Sequence, residues 1–161
     1  MTRVALASLL VVSAGLAHAQ SVPPQGNVNV TYTATNSNPL KPMPIGDGKQ
    51  FVVVNYSMTA VNNDGNPVLN MMAGRCEFAT VLDAAGKPME ARGWCTYADK
   101  DGDQIVEQCA PPKCTLNGGT GKFDGLQADL QITTTPLKVM YEGITQAIGT
   151  KKGTYQISKT H

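Results

Sequence analysis

The body of the chain has no histidine, because the only two stand at His18 and His161. That absence excludes Ser-His-Asp and Cys-His catalysis, histidine-rich zinc sites and imidazole pH switching. Charge is scarce as well. Charged side chains make up 16% of the 161 residues, below the usual quarter, and the 13 basic and 12 acidic groups nearly cancel. Nothing here favours nucleic acid or an anionic membrane surface as a partner. Long hydrophobic runs are also missing. The one sizeable apolar stretch, Val4 to Leu16, falls short of the roughly twenty residues that a membrane span needs, so membrane insertion is not expected. Arg3 precedes that stretch and Ala17-His18-Ala19 closes it ahead of Gln20, the pattern of a cleavable secretory signal. Residues 1–19 are therefore expected to be a signal peptide and 20–161 a single domain. Gln20 leaves no cysteine at the cleavage site to carry a lipid. Export would make the protein periplasmic or secreted, where disulfides form.

What the mature segment does have is alternation. Apolar and polar residues interchange in short stretches separated by Gly, Asn, Asp and Pro, and no window longer than about ten residues keeps a helical period. Val28, Val30, Tyr32 and Ala34 share one face of a first strand. Val52, Val54, Tyr56, Met58 and Ala60 share a face of the next, which ends at the Asn62-Asn63-Asp64-Gly65-Asn66 turn. A long strand from Val68 to Leu82 is predicted to follow, bent at Gly74. Further strands are read at Gln104 to Cys109, Leu126 to Thr134, Leu137 to Ile148 and Gly153 to Lys159. With the partner of the Val68 to Leu82 strand, this makes about eight strands. The fold class is all-β, an antiparallel up-and-down β-barrel or a sandwich, and barrel closure removes the exposed edges of an open sheet. The long connection from Asn36 to Gly48, with Pro39, Pro42 and Pro44, reads as a loop packed on its own barrel, a flap over a mouth, or an arm to a partner subunit.

The Ala84-Ala85-Gly86-Lys87 turn fixes a register that tests itself. It sets Cys76 opposite Cys95, Phe78 opposite Gly93, Thr80 opposite Ala91 and Leu82 opposite Met89 on a mostly apolar face. The other face pairs Glu77 with Trp94, Ala79 with Arg92 and Val81 with Glu90. Both strands agree on which face is wet, which a wrong register would not allow. Of the three pairings that four cysteines permit, this register favours Cys76 with Cys95, leaving Cys109 with Cys114 across a small Pro-Pro loop.

Several motifs resolve into ordinary turns. Asp99, Asp101 and Asp103 match the first positions of a calcium loop, but Gly102 falls too early and Ala110 stands where Glu is required. Gly118 to Gly125 lacks P-loop spacing, since Leu116 and Phe123 occupy positions needing Gly and Ser or Thr. Cys109 and Cys114 do not have redox Cys-x-x-Cys spacing. The methionines show no metal-binding cluster beyond Met71-Met72 and read as core fillers. No metal and no cofactor are expected. Tyr56, Tyr97 and Tyr155 fall on apolar faces, and with Met58 and Phe78 they would line a lumen as a ligand site with a few polar handles; a filled barrel core is the plainer account of the same residues. Trp94 lies on the charged face beside Arg92 and is an interface candidate.

Gly93-Trp94-Cys95-Thr96-Tyr97-Ala98-Asp99-Lys100-Asp101-Gly102-Asp103, then Gly118-Gly119-Thr120-Gly121-Lys122-Phe123-Asp124-Gly125-Leu126, then the strand entry from Gly149 to Tyr155 resemble small exported bacterial proteins with an allene-oxide-cyclase-like or dirigent-like barrel. The resemblance covers about the C-terminal half of the mature chain, and Cys109 to Cys114 departs from the usual pattern. It implies a calycin-type barrel, often oligomeric, whose lumen holds a hydrophobic small molecule. With no acid, base or nucleophile constellation in view, the leading expectation is a disulfide-stabilised, non-enzymatic binder of a small apolar ligand or a protein partner. The alternatives are a cyclase or isomerase of allene-oxide-cyclase type, in which a tyrosine or Glu142 steers the substrate, and a homo-oligomeric assembly module built on Trp94 and the Asn36 to Gly48 loop.

Overall fold

The structure, a computed structural model, describes residues 21–36, 38, 40–138 and 144–158. The leader 1–19, Glu142 and His161 lie outside the described residues. Nine strands alternate with short turns: β1 (Gln25–Asn36), β2 (Met43–Gly46), β3 (Lys49–Asn62), β4 (Met72–Leu82), β5 (Pro88–Ala98), β6 (Gln104–Ala110), β7 (Lys113–Gly119), β8 (Leu126–Leu137) and β9 (Thr145–Ile157). Pairing runs in the order β1-β9-β8-β7-β6-β5-β4-β3, all antiparallel, and β1 pairs with β3 to close an eight-stranded barrel. β2 adds a short hairpin to the start of β3. Within the Asn36 to Gly48 connection, β2 thus lies along its own barrel, exposing Met43 and Ile45, while Leu40 lines the cavity.

The predicted register of β4 and β5 holds from Cys76–Cys95 through Val81–Glu90, and both expected disulfides are formed. It slips at the end, where Leu82 faces Pro88 instead of Met89. The reason is a larger turn than expected. Asp83 Oδ1 accepts the backbone N–H groups of Ala85 and Lys87, so five residues make the turn and the surplus Met89 is bulged outward.

Three strand boundaries also differ from the expectation. Residues 68–71 are a turn, with Leu69 and Met71 at positive φ. Asn62 Nδ2 donates to Val68 O, and Asn66 Oδ1 accepts from Val68 N, so side chains of the asparagine turn replace a strand ladder. Residues 113–119, unassigned in the sequence reading, form β7. Of the segments expected at Leu137 to Ile148 and Gly153 to Lys159, Leu137 ends β8, residues 139–143 and 159 lie outside the described residues, and 145–148 and 153–157 join in a single β9 running through Gly149 and Gly153.

Those glycines, and Gly74, serve close packing. Four aromatic rings face a glycine directly across the ladder: Tyr155 over Gly26, Tyr32 over Gly149, Tyr97 over Gly74 and Phe78 over Gly93. A Cβ on Gly74 would meet Tyr97 Cδ1 at 2.5 Å, and one on Gly93 would meet the Phe78 ring at 2.7 Å. Pairing passes through Gly74 without a shift, so this residue marks a ring's seat where a bend was expected.

The lumen is unevenly filled. One end is plugged by Val68 and Leu69 from the β3–β4 connection, and by Phe123 from the 3-10 helix Gly121–Phe123, all fully buried. Ile105, Leu116, Leu126 and Leu130 pack against them. Toward the other end a cavity opens, lined by residues such as Val52, Val54, Tyr56 and Phe78.

Candidate functional site

The cavity holds about 350 Å³ and is walled mainly by apolar side chains, including Val54, Met58, Phe78 and Ile132, with the Cys95, Cys109 and Cys114 sulfur residues on one side. Its polar lining consists of Tyr32, Tyr56, Thr80, Thr134 and Lys151. No other charged side chain among the described residues lines it. Tyr56, Met58 and Phe78, three of the five residues singled out by strand parity, are brought together here, Tyr56 and Phe78 edge to face with ring centroids 6.2 Å apart.

Beneath the cavity lies a polar cluster. Lys151 of β9 and Glu107 of β6 are both inward-facing, 2% and 0% exposed, and form an ion pair through Nζ and Oε2. Their strands are not neighbours, since β7 and β8 stand between them, so the pair spans the lumen. Tyr97 Oη accepts from Lys151 Nζ at 2.9 Å and donates to Glu107 Oε2 at 3.3 Å. Lys151 Nζ also lies 5.2 Å from the Tyr32 ring centre and 5.0 Å from that of Tyr97, within cation-π range. Tyr32 Oη is fixed by Thr134 Oγ1 and Thr133 O of β8. Glu107 Oε1 is buried with no hydrogen-bond partner among the described residues.

Burial dominates the electrostatics of this cluster. Desolvation pulls the Lys151 ammonium down from its ordinary value, although Glu107 acts against it. Desolvation also raises Tyr97 well above the ordinary phenol, with the Glu107 carboxylate adding to the effect, and raises Tyr32 and Tyr56. Raised phenols stabilise the fold fully below the free value of 10.0, and that contribution is lost as pH climbs through the folded values; Lys151 works in the opposite sense below 10.5. In a spectrophotometric titration of the native protein, Tyr32, Tyr56 and Tyr97 are expected to form phenolate only above pH 10, all five tyrosines titrating together in denaturant. Native and denatured curves that superimpose would contradict this burial.

Two of the expected lumen residues sit elsewhere. Tyr97 lies in the cluster and is fully buried. Tyr155 is at the plugged end, its Oη accepting from Asn66 Nδ2 at 3.0 Å, beside an open groove of about 830 Å³ on the outside of β1, β7, β8 and β9. That groove is larger than the cavity, but its side chains are mostly amides and hydroxyls such as Gln25, Asn117 and Gln127, which offer little apolar surface to cover. Trp94 is 57% exposed on the outer face, in a shallow groove with Val53, Arg75, Glu77 and Thr96.

Neither candidate metal arrangement among the described residues keeps its full ligand set available. Cys95, Cys109 and Glu107 bring ligand atoms within 4.8 Å of one another, but both sulfurs are held in disulfides. Asp99, Asp101 and Asp103 converge on Lys122, whose Nζ is 2.5, 2.8 and 3.6 Å from their carboxylates, so an ammonium occupies the point where a cation would sit. Lys100 and Lys122 together hold Asp101 down at about 2.

Lys151 and Glu107 escaped the sequence reading, although parity offered a signal for each. Glu107 falls between Ile105 and Cys109 on the buried face of β6. Lys151 shares its row with Ala147, Gly149, Gly153 and Tyr155, visible only when β9 is one strand.

Among solved structures, the pterocarpan synthase dirigent protein GePTS1 matches with a TM-score of 0.50 and 9% identity, over 88% of this chain and 92% of that one. No protein-family model and no curated protein sequence matches the chain. At that identity the likeness is one of architecture. The two disulfides point to folding outside a reducing cytoplasm. The chain is thus an all-β, closed eight-stranded antiparallel barrel with a dirigent-like fold.

Proposed function

We propose that the protein binds a small, largely apolar molecule in the open half of the barrel, with one hydrogen-bonding end directed at Tyr32 and Lys151. The observation that carries this reading is the asymmetry of the lumen: one half is filled by Val68, Leu69 and Phe123, and the other keeps a 350 Å³ apolar chamber in which Lys151 is the single charged group among the described residues. Such a chamber buries most of a small ligand, while a few polar groups set its orientation. Exposed walls would not produce this preference. Export to the periplasm or the medium, with the ligand met there, accords with the disulfides and the leader-like N-terminus. A direct test uses the uncharged fluorophore N-phenylnaphthylamine. Saturable fluorescence enhancement is expected for the parent and its loss for Ala91→Trp, which places an indole among the cavity residues Thr80, Leu82 and Pro88. Equal enhancement by both proteins would place the dye on the surface and count against the proposal.

A second reading has a specific observation behind it. A cyclase or isomerase acting in the lumen needs polar groups there, and Lys151, Tyr97, Glu107 and Tyr32 supply a donor, an acceptor and a buried proton-sharing pair. The neighbour of like fold is named a synthase. Turnover of a bound compound, as opposed to its recovery unchanged, separates this reading from simple binding. The Trp94 face remains a proposal for a protein partner or a second copy of the chain. A monomeric mass in solution, unchanged by Trp94→Ala, would remove the homo-oligomer version.

A further inference from the structure

We infer that Lys151 captures carbonyl compounds, its amine adding to an aldehyde or ketone group on an otherwise apolar ligand and holding it as a reversible imine. This rests on the binding reading above and names the ligand class. Four observations converge on it. Lys151 is the only buried lysine among the described residues, and it belongs to the cavity wall, so the amine stands at the boundary between the chamber and the polar cluster and away from bulk water. Its Nζ has two hydrogen-bonding partners, Glu107 Oε2 and Tyr97 Oη, whereas an ammonium can donate three bonds. A lysine desolvated in an apolar pocket is one of the settings in which the amine becomes nucleophilic, and burial here favours the uncharged form. Finally, Glu107 already neutralises Lys151 and no further cation among the described residues lines the chamber, so an anionic ligand would meet no unpaired charge, whereas a neutral carbonyl needs none.

The chemistry balances with groups already present. Glu107 Oε2, in contact with Nζ, takes a proton from the ammonium and frees the nitrogen lone pair. That pair attacks the carbonyl carbon. A C–N bond forms as the C=O π pair moves to oxygen, and transfer of one proton from nitrogen to oxygen gives a neutral carbinolamine. Glu107 then returns its proton to the carbinolamine hydroxyl, the C–O bond breaks, and water leaves as nitrogen forms the C=N bond and sheds its remaining proton to the carboxylate. The net change is amine plus carbonyl to imine plus water, with no oxidant or reductant. Tyr97 Oη, 2.9 Å from Nζ, holds the nitrogen in place through both steps.

The test traps the imine. The full protein is incubated with 2-naphthaldehyde and sodium cyanoborohydride near neutral pH, and the modified residue is located by peptide mass spectrometry. The next residue, Lys152, is exposed and serves as an internal control. The expected result is one naphthylmethyl group per chain, on Lys151 and not on Lys152, with labelling suppressed by excess N-phenylnaphthylamine. The double variant Lys151→Met with Glu107→Met, which leaves no buried charge behind, is expected to lose this label while keeping the far-ultraviolet spectrum and cooperative unfolding of the parent. Labelling of exposed lysines with Lys151 unmodified overturns the inference. If the fluorophore binds the parent under those conditions, only carbonyl capture fails; if neither fluorophore nor label enters the chamber, the binding reading fails with it.

Discussion

Lys151→Met alone is expected to destabilise the protein by about 3–5 kcal/mol, because it leaves the Glu107 carboxylate buried without its counter-charge. At roughly 2–4 °C per kcal/mol for a domain of this size, the melting temperature should fall by on the order of 10 °C. Adding Glu107→Met should recover most of that loss, since replacing a whole buried pair with apolar groups is often neutral or stabilising. The non-additivity is the diagnostic feature. The two positions lie on strands separated by two others, so a large coupling between them can only be transmitted across the lumen. The loss in the single variant should also shrink on acidification, because a protonated carboxyl is cheaper to bury than a carboxylate. Urea denaturation of the parent, both single variants and the double variant measures the whole cycle. Losses that simply add would mean that the two groups do not meet inside the barrel.

The second large effect concerns the disulfides. Converting Cys76 and Cys95 to serine opens a cross-link with a sequence separation of 19, worth about 3 kcal/mol in the chain-entropy account. Converting Cys109 and Cys114 opens a separation of only 5, worth about 2 kcal/mol. Both pairs are fully buried, so serine hydroxyls in their place add a desolvation cost to either change. The Cys76–Cys95 variant should therefore be the less stable of the two. Both cross-links connect adjacent strands already in register, β4 with β5 and β6 with β7, so far-ultraviolet spectra of the folded variants should stay those of a β-barrel. Equal stability of the two variants, or a gain in either, would show that the cross-links strain the barrel instead of tying it.

Much of this fold was legible because strand parity is a two-valued signal that neighbouring strands can check. The apolar rows of β1 and β3, and the agreement of β4 with β5 around Cys76 and Cys95, survive intact in the barrel. The errors fall where side chains or glycines overrule that signal. Asp83 enlarged a turn by bonding its backbone, and the Asn62 and Asn66 amides turned the segment before β4 away from extended structure. In β9, Gly149 and Gly153 looked like punctuation, although Gly149 leaves space for the Tyr32 ring and Gly153 for the Leu130 side chain. Splitting that strand hid Lys151 in an apparent loop, and a lone Glu107 in a mostly apolar row had no visible partner. Composition and local spacing cannot show two opposite charges on β6 and β9 meeting, because the meeting depends on barrel closure. The cavity walls at Tyr56, Met58 and Phe78 were accessible from parity alone; the charged floor was not.

The most direct measurement is native mass spectrometry of the unreduced protein purified from its own host, set beside the spectrum of the same sample after denaturation. A native mass that exceeds the denatured one by a single small-molecule increment is the predicted result, and the excess should disappear in Ala91→Trp. Identical native and denatured masses for a chain taken from its own host, with apolar compounds failing to add when supplied, would contradict the account of the lumen as a binding chamber.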